Sequence, residues 1–220
     1  MTLVKRFKKL YSGIIYDAMK YDLKYNENIV LNYIPLKEYN EPLVGYAFTC
    51  KGGMIKETMN DNIRIEMYES FYSDAVQIIS SNGTKSIAYY GDISAHLTKK
   101  FGGVGCIIDG YTRDRSYINK LDNFQIYSKG LTIRSAYGVW EIKDYQCDIS
   151  LEDEYGSVKI SPRDLIFADN DGVIVIPNKL IETVLSLSEK RMDDENKVRN
   201  TLNDSSIDEI IKMKEEVVTW

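Results

Sequence analysis

The sequence predicts a single-domain α/β protein in which helices pack in layers against a sheet. Short apolar, β-branched segments alternate with amphipathic segments along most of the chain, a pattern typical of α/β folds. The 220 residues are enough to bury one hydrophobic core, and the hydrophobic content of 44% is ordinary for a globular domain. No repeat, low-complexity tract or linker divides the chain, so we expect one domain over residues 1–220.

The predicted strands are runs of apolar and β-branched residues that end at turn-forming residues. In chain order they are LVGYAFTC (43–50), AVQIIS (75–80), VGCIID (104–109), FQIYSKG (124–130), LIFAD (165–169) and VIVIP (173–177). The turn sequence Asn82-Gly83 closes the second strand, and Asn170-Asp171-Gly172 predicts a tight hairpin between the last two. Residues 132–158 lack a clear period, so we expect strands and exposed loops there.

Two helices are predicted in the first third of the chain from apolar residues spaced four apart. The first covers residues 8–20, and its apolar face is formed by Leu10, Ile14 and Ala18. The basic residues at its start are expected to face solvent. The second covers about residues 60–72, and its apolar stripe is formed by Ile63, Met67 and Phe71.

Further helices are predicted in the rest of the chain. Short ones are expected over residues 94–101 and 116–122. A long charged helix over residues 178–203 precedes a final helix capped by Ser206. Together these last two form a C-terminal helical segment over about 178–217.

Composition excludes several classes of function. The net charge of −5 and the lack of a basic cluster argue against binding nucleic acid. No apolar run reaches the ~18 residues of a membrane span, and the N-terminus lacks the apolar region of a signal peptide. The three cysteines, Cys50, Cys106 and Cys147, are far apart, and with one histidine, His96, they form no zinc pattern. We expect a protein of the reducing cytoplasm without a membrane or nucleic-acid partner.

Gly91 and Asp92 stand where a predicted helix begins. The first N–H groups of a helix lack intrahelical partners, and with the helix dipole they favour a carboxylate or phosphate. Gly91 would let such a ligand approach the backbone closely. Asp92 is also a common helix cap, and by itself this sequence does not separate a cap from a binding site.

Arg113 and Asp114 follow an apolar strand, where α/β proteins commonly place ligand-binding loops. Arginine can bind a carboxylate through two parallel hydrogen bonds. Aspartate offers the hard oxygen ligands that Mg²⁺ or Mn²⁺ prefers. Taken alone, the pair also fits an ordinary surface ion pair of little energetic value.

Asp92, Arg113 and Asp114 form the pattern D-x20-R-D, and here the chain resembles a known family. The family comprises the class II pyruvate aldolases of the 4-hydroxy-4-methyl-2-oxoglutarate aldolase type and the related RraA-like proteins. The blocks that carry the resemblance are SGIIYDAM (12–19), PLVGYAFT (42–49), GVGCIIDGYTRD (103–114) with its preceding Gly91-Asp92, and PRDLIFADNDGVIVIP (162–177). They are distributed over residues 12–177, in the order of the family.

The resemblance implies a fold and an assembly. The fold is an α/β sandwich with a swivelling-β-type core, similar to phosphohistidine domains. The assembly is a homotrimer or a hexamer made of two trimers, with active sites at subunit interfaces.

The resemblance also implies roles for individual residues. Asp114 would bind the divalent metal directly, Asp92 would act through water, and Arg113 would contact the pyruvyl group. The backbone of Gly91, Asp92, Ile93 and Ser94 would hold the substrate carboxylate. Glu195 matches a family glutamate that reaches the site of a neighbouring subunit.

The expected activity is retro-aldol cleavage of a 4-hydroxy-2-oxo acid, with release of pyruvate. Mg²⁺ or Mn²⁺ would act as a Lewis acid, and Arg113 would add positive charge where the enolate oxygen develops. Oxaloacetate decarboxylation passes through the same enolate, so one site could support both reactions. A metal-bound water oriented by Asp92 would move the proton of the 4-hydroxyl group.

Three positions depart from the family pattern. Tyr117 stands where an acid usually follows the motif aspartate, Arg115 is bulkier than expected, and Arg163 replaces a usual glycine. The alternatives are therefore a non-catalytic RraA-like regulator that binds an RNA-processing enzyme or helicase, and a related protein with another carboxylate substrate. RraA-like regulators commonly lack the aspartate that follows the arginine, whereas this chain has Asp114.

Two other features have structural explanations. The segment Phe101–Gly105 is rich in glycine, but it precedes a strand and does not lead from a strand into a helix, as a phosphate loop would. His96 is expected to be structural or exposed to solvent. Asp169 and Asp171 are explained by the chemistry of a hairpin turn.

Overall fold

The computed structural model of the protein describes residues 1–55, 61–82, 86–202 and 205–217. Within these ranges, no helix is long and apolar enough to cross a membrane. The Gly83 half of the predicted Asn82-Gly83 turn lies outside the described residues. The chain forms two compact units, Glu27–Lys179 and the pairing of Met1–Asn26 with Leu180–Trp220.

The larger unit contains all the strands of the described chain. They are β1 (Val30–Leu31), β2 (Ile34–Pro35), β3 (Leu43–Met54), β4 (Ala75–Ser80), β5 (Ala88–Tyr90), β6 (Gly103–Thr112), β7 (Gln125–Leu131), β8 (Trp140–Tyr145), β9 (Ile149–Asp153), β10 (Gly156–Ile160), β11 (Leu165–Asp169) and β12 (Gly172–Ile176). Every strand predicted from the sequence is present. Residues 132–158 form exposed segments and three strands, as expected.

Ten of these strands form one mixed sheet with the order β1-β12-β11-β3-β4-β6-β7-β2, while β5 pairs with β6 and β8 with β3. The centre is parallel: β3, β4, β6 and β7 run in the same direction. Strands β11 and β12 pair antiparallel across the two-residue turn Asn170-Asp171, which confirms the predicted hairpin. A parallel centre with covered faces agrees with the continuous apolar runs of β4 and β6.

Layers cover both faces of the sheet because side chains alternate along each strand. On one face, Val76 and Ile78 pack with apolar residues of the β9–β10 hairpin. On the other face, Ile79 and Cys106 pack with residues of three helices. These helices are α3 (Asp61–Glu69), α4 (Asp92–Lys100) and α5 (Arg115–Ile118). The predicted layered α/β architecture is therefore confirmed; the likeness to phosphohistidine domains stays a prediction.

The smaller unit is helical. It contains α1 (Leu3–Phe7), α2 (Ser12–Asp17), a π-helical turn (Ala18–Asp22), α6 (Ile181–Leu202) and α7 (Ile207–Val217). A short 3-10 turn, Asn178–Leu180, precedes α6, and most described residues between positions 178 and 217 are helical. The unit is also held by ion pairs between Arg6 and Glu189 at 2.5 Å and between Arg191 and Asp22 at 2.6 Å. The hydrogen bond from Arg6 lowers the pKa of Glu189.

The prediction of one helix over residues 8–20 was wrong. Helix α1 ends at Phe7, and Tyr11 adopts an extended conformation before α2 begins at Ser12. Serine and glycine have weak helix propensity, and the Ser12-Gly13 pair stands where the helix restarts. The apolar face was nevertheless correct, since Leu10, Ile14 and Ala18 are all buried.

The ends of other predicted elements also moved. Helix α3 ends at Glu69, three residues before the predicted end, and Phe71 stacks on Phe48 from the following loop. Helix α5 is a single turn, whereas β3 continues to Met54. The final helix begins as predicted. The Ser206 amide donates to the Glu209 carboxylate, and the Glu209 amide donates to the Ser206 hydroxyl, which is the pattern of a capping box.

Gly52 provides a test of the packing between β3 and β8. A Cβ atom at Gly52 would lie 1.7 Å from Cζ2 of Trp140, whereas one at the adjacent Gly53 would lie 3.3 Å from Cγ of the flexible Lys143. We expect Gly52→Ala to lower the free energy of unfolding by about 1–3 kcal/mol, as overpacking does. The matched control Gly53→Ala should lose less than about 1 kcal/mol. Urea unfolding measures the stability of both variants, and equal losses would contradict the close packing of Gly52 against Trp140.

Candidate active site

The site residues follow two neighbouring parallel strands. Strand β5 leads through Gly91 into α4, and β6 leads through Arg113 and Asp114 into α5. The Arg113 amide and the Thr112 hydroxyl both donate to the carbonyl oxygen of Tyr90, at 3.1 and 3.0 Å. Because the two strands are joined at their carboxyl ends, the loops that follow them begin side by side.

A carboxylate from the second loop contacts the start of α4. The Asp92 amide donates to Oδ2 of Asp114 at 3.2 Å. Gly91 occupies the N-cap position and makes no side-chain cap, so the interpretation of Asp92 as the helix cap was wrong. Asp92 is the first helical residue, and Asp114 satisfies one of the unpaired N–H groups of the helix.

The conformations of Gly91 and Asp114 fit this contact closely. A Cβ atom at Gly91 would lie 2.5 Å from Oδ2 of Asp114, so a larger residue would displace the carboxylate. Asp114 adopts a left-handed conformation with φ of 63° and ψ of 29°. Such a conformation is uncommon for a residue other than glycine and is tolerated best by asparagine and aspartate. It directs the Asp114 carboxylate back toward α4 instead of capping α5.

Arg113 and Asp114 form a loose ion pair whose groups remain accessible. Nε of Arg113 lies 3.5 Å from Oδ2 of Asp114, and the two side chains are 40% and 33% exposed. A pair at this distance in solvent contributes little to stability. The guanidinium therefore keeps most of its donors available to a ligand.

These groups stand at the edge of an open cleft of about 240 Å³. The predicted substrate-binding residues and the predicted metal ligand Asp114 all line it; the former are Gly91, Asp92, Ile93, Ser94 and Arg113. Sequence reasoning did not identify the remaining polar and aromatic residues of its walls, which include Arg64, Tyr68, Gln77, Trp140 and Glu141. Spacing could have indicated Arg64 and Tyr68, because residues four apart share one helix face.

A buried hydrogen-bonded chain extends below the cleft. The Tyr90 hydroxyl contacts the Ser94 carbonyl at 3.2 Å and donates to Thr98 at 2.7 Å, and Thr98 donates to Gln77 at 2.8 Å. Gln77 in turn lies against Cys50. Burial raises the pKa of Tyr90 well above its usual range and the pKa of Cys50 to about 12. Both groups are therefore neutral at physiological pH, and neither is an activated nucleophile.

The carboxylate oxygens of Asp92 and Asp114 at the cleft are suitable ligands for a hydrated divalent cation. Among the described residues, the Asp92 carboxylate has no hydrogen bond or ion pair, and the second oxygen of Asp114 is likewise without a partner. No group of three or more potential ligands occurs within the described ranges. Mg²⁺ commonly uses one or two carboxylates and completes its shell with water and substrate oxygens. Asp92 and Asp114 meet that requirement.

Glu195 lies on α6 in the helical unit. Its carboxylate accepts hydrogen bonds from the Tyr11 hydroxyl and from the Arg199 guanidinium. The proposed contribution of Glu195 to the site of a neighbouring subunit stays a prediction.

Most of the sequence matches one protein family. The sequence matches the RraA-like family, described as Aldolase/RraA, over residues 14–175, about three quarters of the chain. The chain belongs to the RraA-like family.

Individual relatives agree with this assignment. The chain is 31% identical to a protein of Halalkalibacterium halodurans named "Putative 4-hydroxy-4-methyl-2-oxoglutarate aldolase", over 81% of this chain and 80% of the relative. Streptomyces coelicolor RraAS2, described as an unusual member of the RNase ES inhibitor RraA protein family, has the same fold with a TM-score of 0.75. That match has 22% identity and covers 90% of this chain and 95% of the other.

A third match is a crystal structure described as one of novel cellulases from microbes of the gut ecosystem. It has a TM-score of 0.81 and 27% identity, and it covers 89% of this chain and 86% of the other. All three matches extend over most of both chains. They therefore support one fold that this chain shares with all three proteins.

The departures from the RraA-like pattern lie outside the cleft lining. Tyr117 is 61% exposed, and Nζ of Lys120 lies 4.7 Å from its ring centre. Arg115 is also exposed. Arg163 adopts a φ of 73°, a conformation for which the usual glycine is better suited, and it stacks on the Tyr72 ring at 3.4 Å. None of the three replaces a residue that lines the cleft of this chain.

His96 and the glycine-rich segment behave as predicted. His96 is exposed, and its Nδ1 lies 2.8 Å from the carbonyl oxygen of Asp92. The glycine-rich segment ends α4 and leads into β6, with Gly102 at a φ of 100°. That geometry is a helix end and not a phosphate loop.

Gly91→Ala tests the contact between the loop and the helix. The added Cβ atom must displace the Asp114 carboxylate, and loss of this capping interaction should lower the free energy of unfolding by about 0.5–2 kcal/mol. The Asp92 amide resonance should also move in a ¹H–¹⁵N spectrum. Gly53→Ala serves as the control, and an unchanged Asp92 resonance in the Gly91 variant would show that Asp114 does not bind the helix start.

Proposed function

We propose that the protein is a divalent-metal-dependent lyase that cleaves a 4-hydroxy-2-oxo acid and releases pyruvate. Oxaloacetate decarboxylation is a second reaction that the same site would support. The observation that carries the proposal is the convergence of Arg113 and Asp114 on the start of α4 within an open cleft. The names of the relatives as 4-hydroxy-4-methyl-2-oxoglutarate aldolases support the same reaction class.

Binding of the pyruvyl half requires donors for a carboxylate and a keto oxygen. The N–H groups of Ile93 and Ser94 lie in the first turn of α4 and lack intrahelical acceptors, which suits the substrate carboxylate. The Arg113 guanidinium stands beside them, paired loosely with Asp114. Its fixed positive charge favours the enolate over the ketone, because negative charge develops on that oxygen during cleavage.

The cation would be Mg²⁺ or Mn²⁺, held directly by Asp114 and through water by Asp92. When bound, it supplies Lewis-acid polarisation of the 2-keto group. The Asp114 carboxylate is prepared for this role because its backbone conformation and the Asp92 amide fix its direction. We further propose a homotrimer or hexamer, in which Glu195 of a neighbouring copy contributes to the site.

Cleavage also requires movement of one proton. A base removes the proton of the 4-hydroxyl group, its oxygen forms a carbonyl, and the C3–C4 bond breaks. The electron pair of that bond forms the enolate of pyruvate, which is then protonated at C3. Asp92 fits the role of base, since its carboxylate is at the cleft and has no partner among the described residues.

A regulator that binds an RNA-processing enzyme is the alternative. RraAS2 supports it by its description as a member of an RNase inhibitor family. Both carboxylates of the proposed metal site are present in this chain, and both line the cleft with at least one oxygen that has no partner among the described residues. This observation favours the lyase.

Pyruvate release is the direct test of the lyase. Purified protein should release pyruvate from 4-hydroxy-4-methyl-2-oxoglutarate and from oxaloacetate with Mg²⁺, because both reactions pass through the pyruvate enolate. EDTA should remove the activity, and added Mn²⁺ should restore it. A coupled lactate dehydrogenase assay measures the rate. No release from either substrate, or release that EDTA leaves unchanged, would overturn the proposal.

Asp114→Asn tests the proposed metal ligand while the backbone conformation is retained. Asparagine tolerates the left-handed conformation of Asp114, so the backbone should be retained while the charged metal ligand is lost. We expect kcat/KM for pyruvate release to fall by about a hundredfold or more, with unchanged elution in size-exclusion chromatography. Asp114→Ala should be equally inactive. Full activity of either variant would show that the metal ligand lies elsewhere.

A further inference from the structure

The cleft carries a second positive group that the proposed chemistry does not use. Among the described residues that line it, Arg113 and Arg64 bear guanidinium groups. Arg113 is paired with Asp114, whereas Arg64 is exposed and forms no ion pair with any carboxylate of the described chain. Glu141 lines the same cleft, but its carboxylate binds Lys143. Within the described ranges, Arg64 therefore brings to the cleft a positive charge that has no ion-pair partner.

Arg64 shares the cleft with the proposed carboxylate site. Arg64 and Tyr68 stand four residues apart on α3, and both line the cleft together with Ser94 in the first turn of α4. Ser94 is one of the residues proposed to hold the pyruvyl carboxylate. The guanidinium therefore lies on the α3 side of the cleft whose α4 side holds Ser94.

Tyr68 is suited to remain a hydrogen-bond donor there. It is buried, and burial raises the pKa of its hydroxyl, although the charge of Arg64 opposes that shift. A neutral hydroxyl next to a guanidinium offers donors from two directions. Such a pair suits an anionic oxygen far better than a neutral or apolar group.

The chemistry of the substrate indicates which anion this would be. With the C1 carboxylate at α4 and the keto group at Arg113, the substituent on C4 must extend along the rest of the cleft. A carboxylate on that substituent would accept hydrogen bonds from Arg64 and Tyr68. A methyl group at the same place would leave their polar groups without a partner.

We propose that Arg64, supported by Tyr68, determines substrate specificity by binding the distal carboxylate of a 4-hydroxy-2-oxo dicarboxylic acid. This inference rests on the proposed lyase function. It assigns to α3 the selection of the C4 substituent. Bond cleavage itself stays with Asp92, Arg113 and Asp114.

Two substrates that differ at one position test this. Both 4-hydroxy-2-oxoglutarate and 4-hydroxy-2-oxopentanoate release pyruvate on cleavage, but the first ends in a carboxylate where the second has a methyl group. We expect Arg64→Gln to lower kcat/KM for the dicarboxylic acid by about tenfold to a hundredfold, the value of a lost hydrogen bond to a charged group. Its kcat/KM for 4-hydroxy-2-oxopentanoate should stay within about twofold of the wild-type value.

Control variants distinguish an effect of the charge at Arg64 from an effect of the net charge of the protein. Arg115→Gln removes one positive charge from an exposed residue that does not line the cleft, and it should leave the preference between the two substrates unchanged. Arg64→Lys keeps the charge but loses the planar fork, so its preference should be intermediate. Exchange of the pyruvate methyl protons in D₂O needs the pyruvyl half alone and should be unaffected in all three variants.

The outcomes distinguish the two proposals. Wild-type pyruvate release with an unchanged preference in Arg64→Gln would overturn the role of Arg64 and leave the lyase function standing. Equal losses on both substrates, or loss of methyl-proton exchange, would also overturn it, since they indicate damage to the common site. A wild-type protein that neither cleaves these substrates nor exchanges pyruvate protons would overturn both proposals.

Discussion

The hydrogen bond from the Asp92 amide to Asp114 joins two loops that the chain separates by a helix and a strand. Its formation requires the parallel pairing of β5 with β6, which brings the two loops to one edge of the sheet. It also requires Gly91, because any Cβ atom there would meet the carboxylate. The third requirement is the left-handed conformation of Asp114. Sheet topology, residue size and backbone conformation thus converge on one contact.

Charge is distributed unevenly around that contact. Asp92, Arg113 and Asp114 stand at one end of the cleft, and Arg64 stands on the α3 side. A ligand with one anionic group would satisfy Arg113 and the helix start. A ligand with two such groups would also engage Arg64. The polar part of the cleft therefore combines a region of mixed charge at Asp92, Arg113 and Asp114 with a separate positive group at Arg64.

Sequence alone predicted the layered α/β fold because periodic apolar patterns are local and the strands of the sheet interior are strongly apolar. It also predicted the D-x20-R-D residues, and the structure brings them together. It did not predict which carboxylate contacts the start of α4, since Asp92 and Asp114 are chemically alike and only the left-handed turn at Asp114 separates their roles.

Residues farther along the chain were missed for a different reason. Trp140 and Glu141 reach the cleft because β8 pairs with β3, a contact between residues far apart in sequence that no short-range pattern reveals.

The break between α1 and α2 was missed because the apolar spacing of Leu10, Ile14 and Ala18 continues across it. Periodicity reports which residues are buried more reliably than where a helix ends.

The buried chain of Tyr90, Thr98 and Gln77 has a consequence for the strength of interactions above it. Its members are almost inaccessible to water, and Tyr90 and Gln77 also line the cleft. A charge next to a water-free region is screened less than one in bulk solvent. A ligand held on that side of the cleft would therefore interact with nearby charged groups more strongly than it would on the outer surface of the protein.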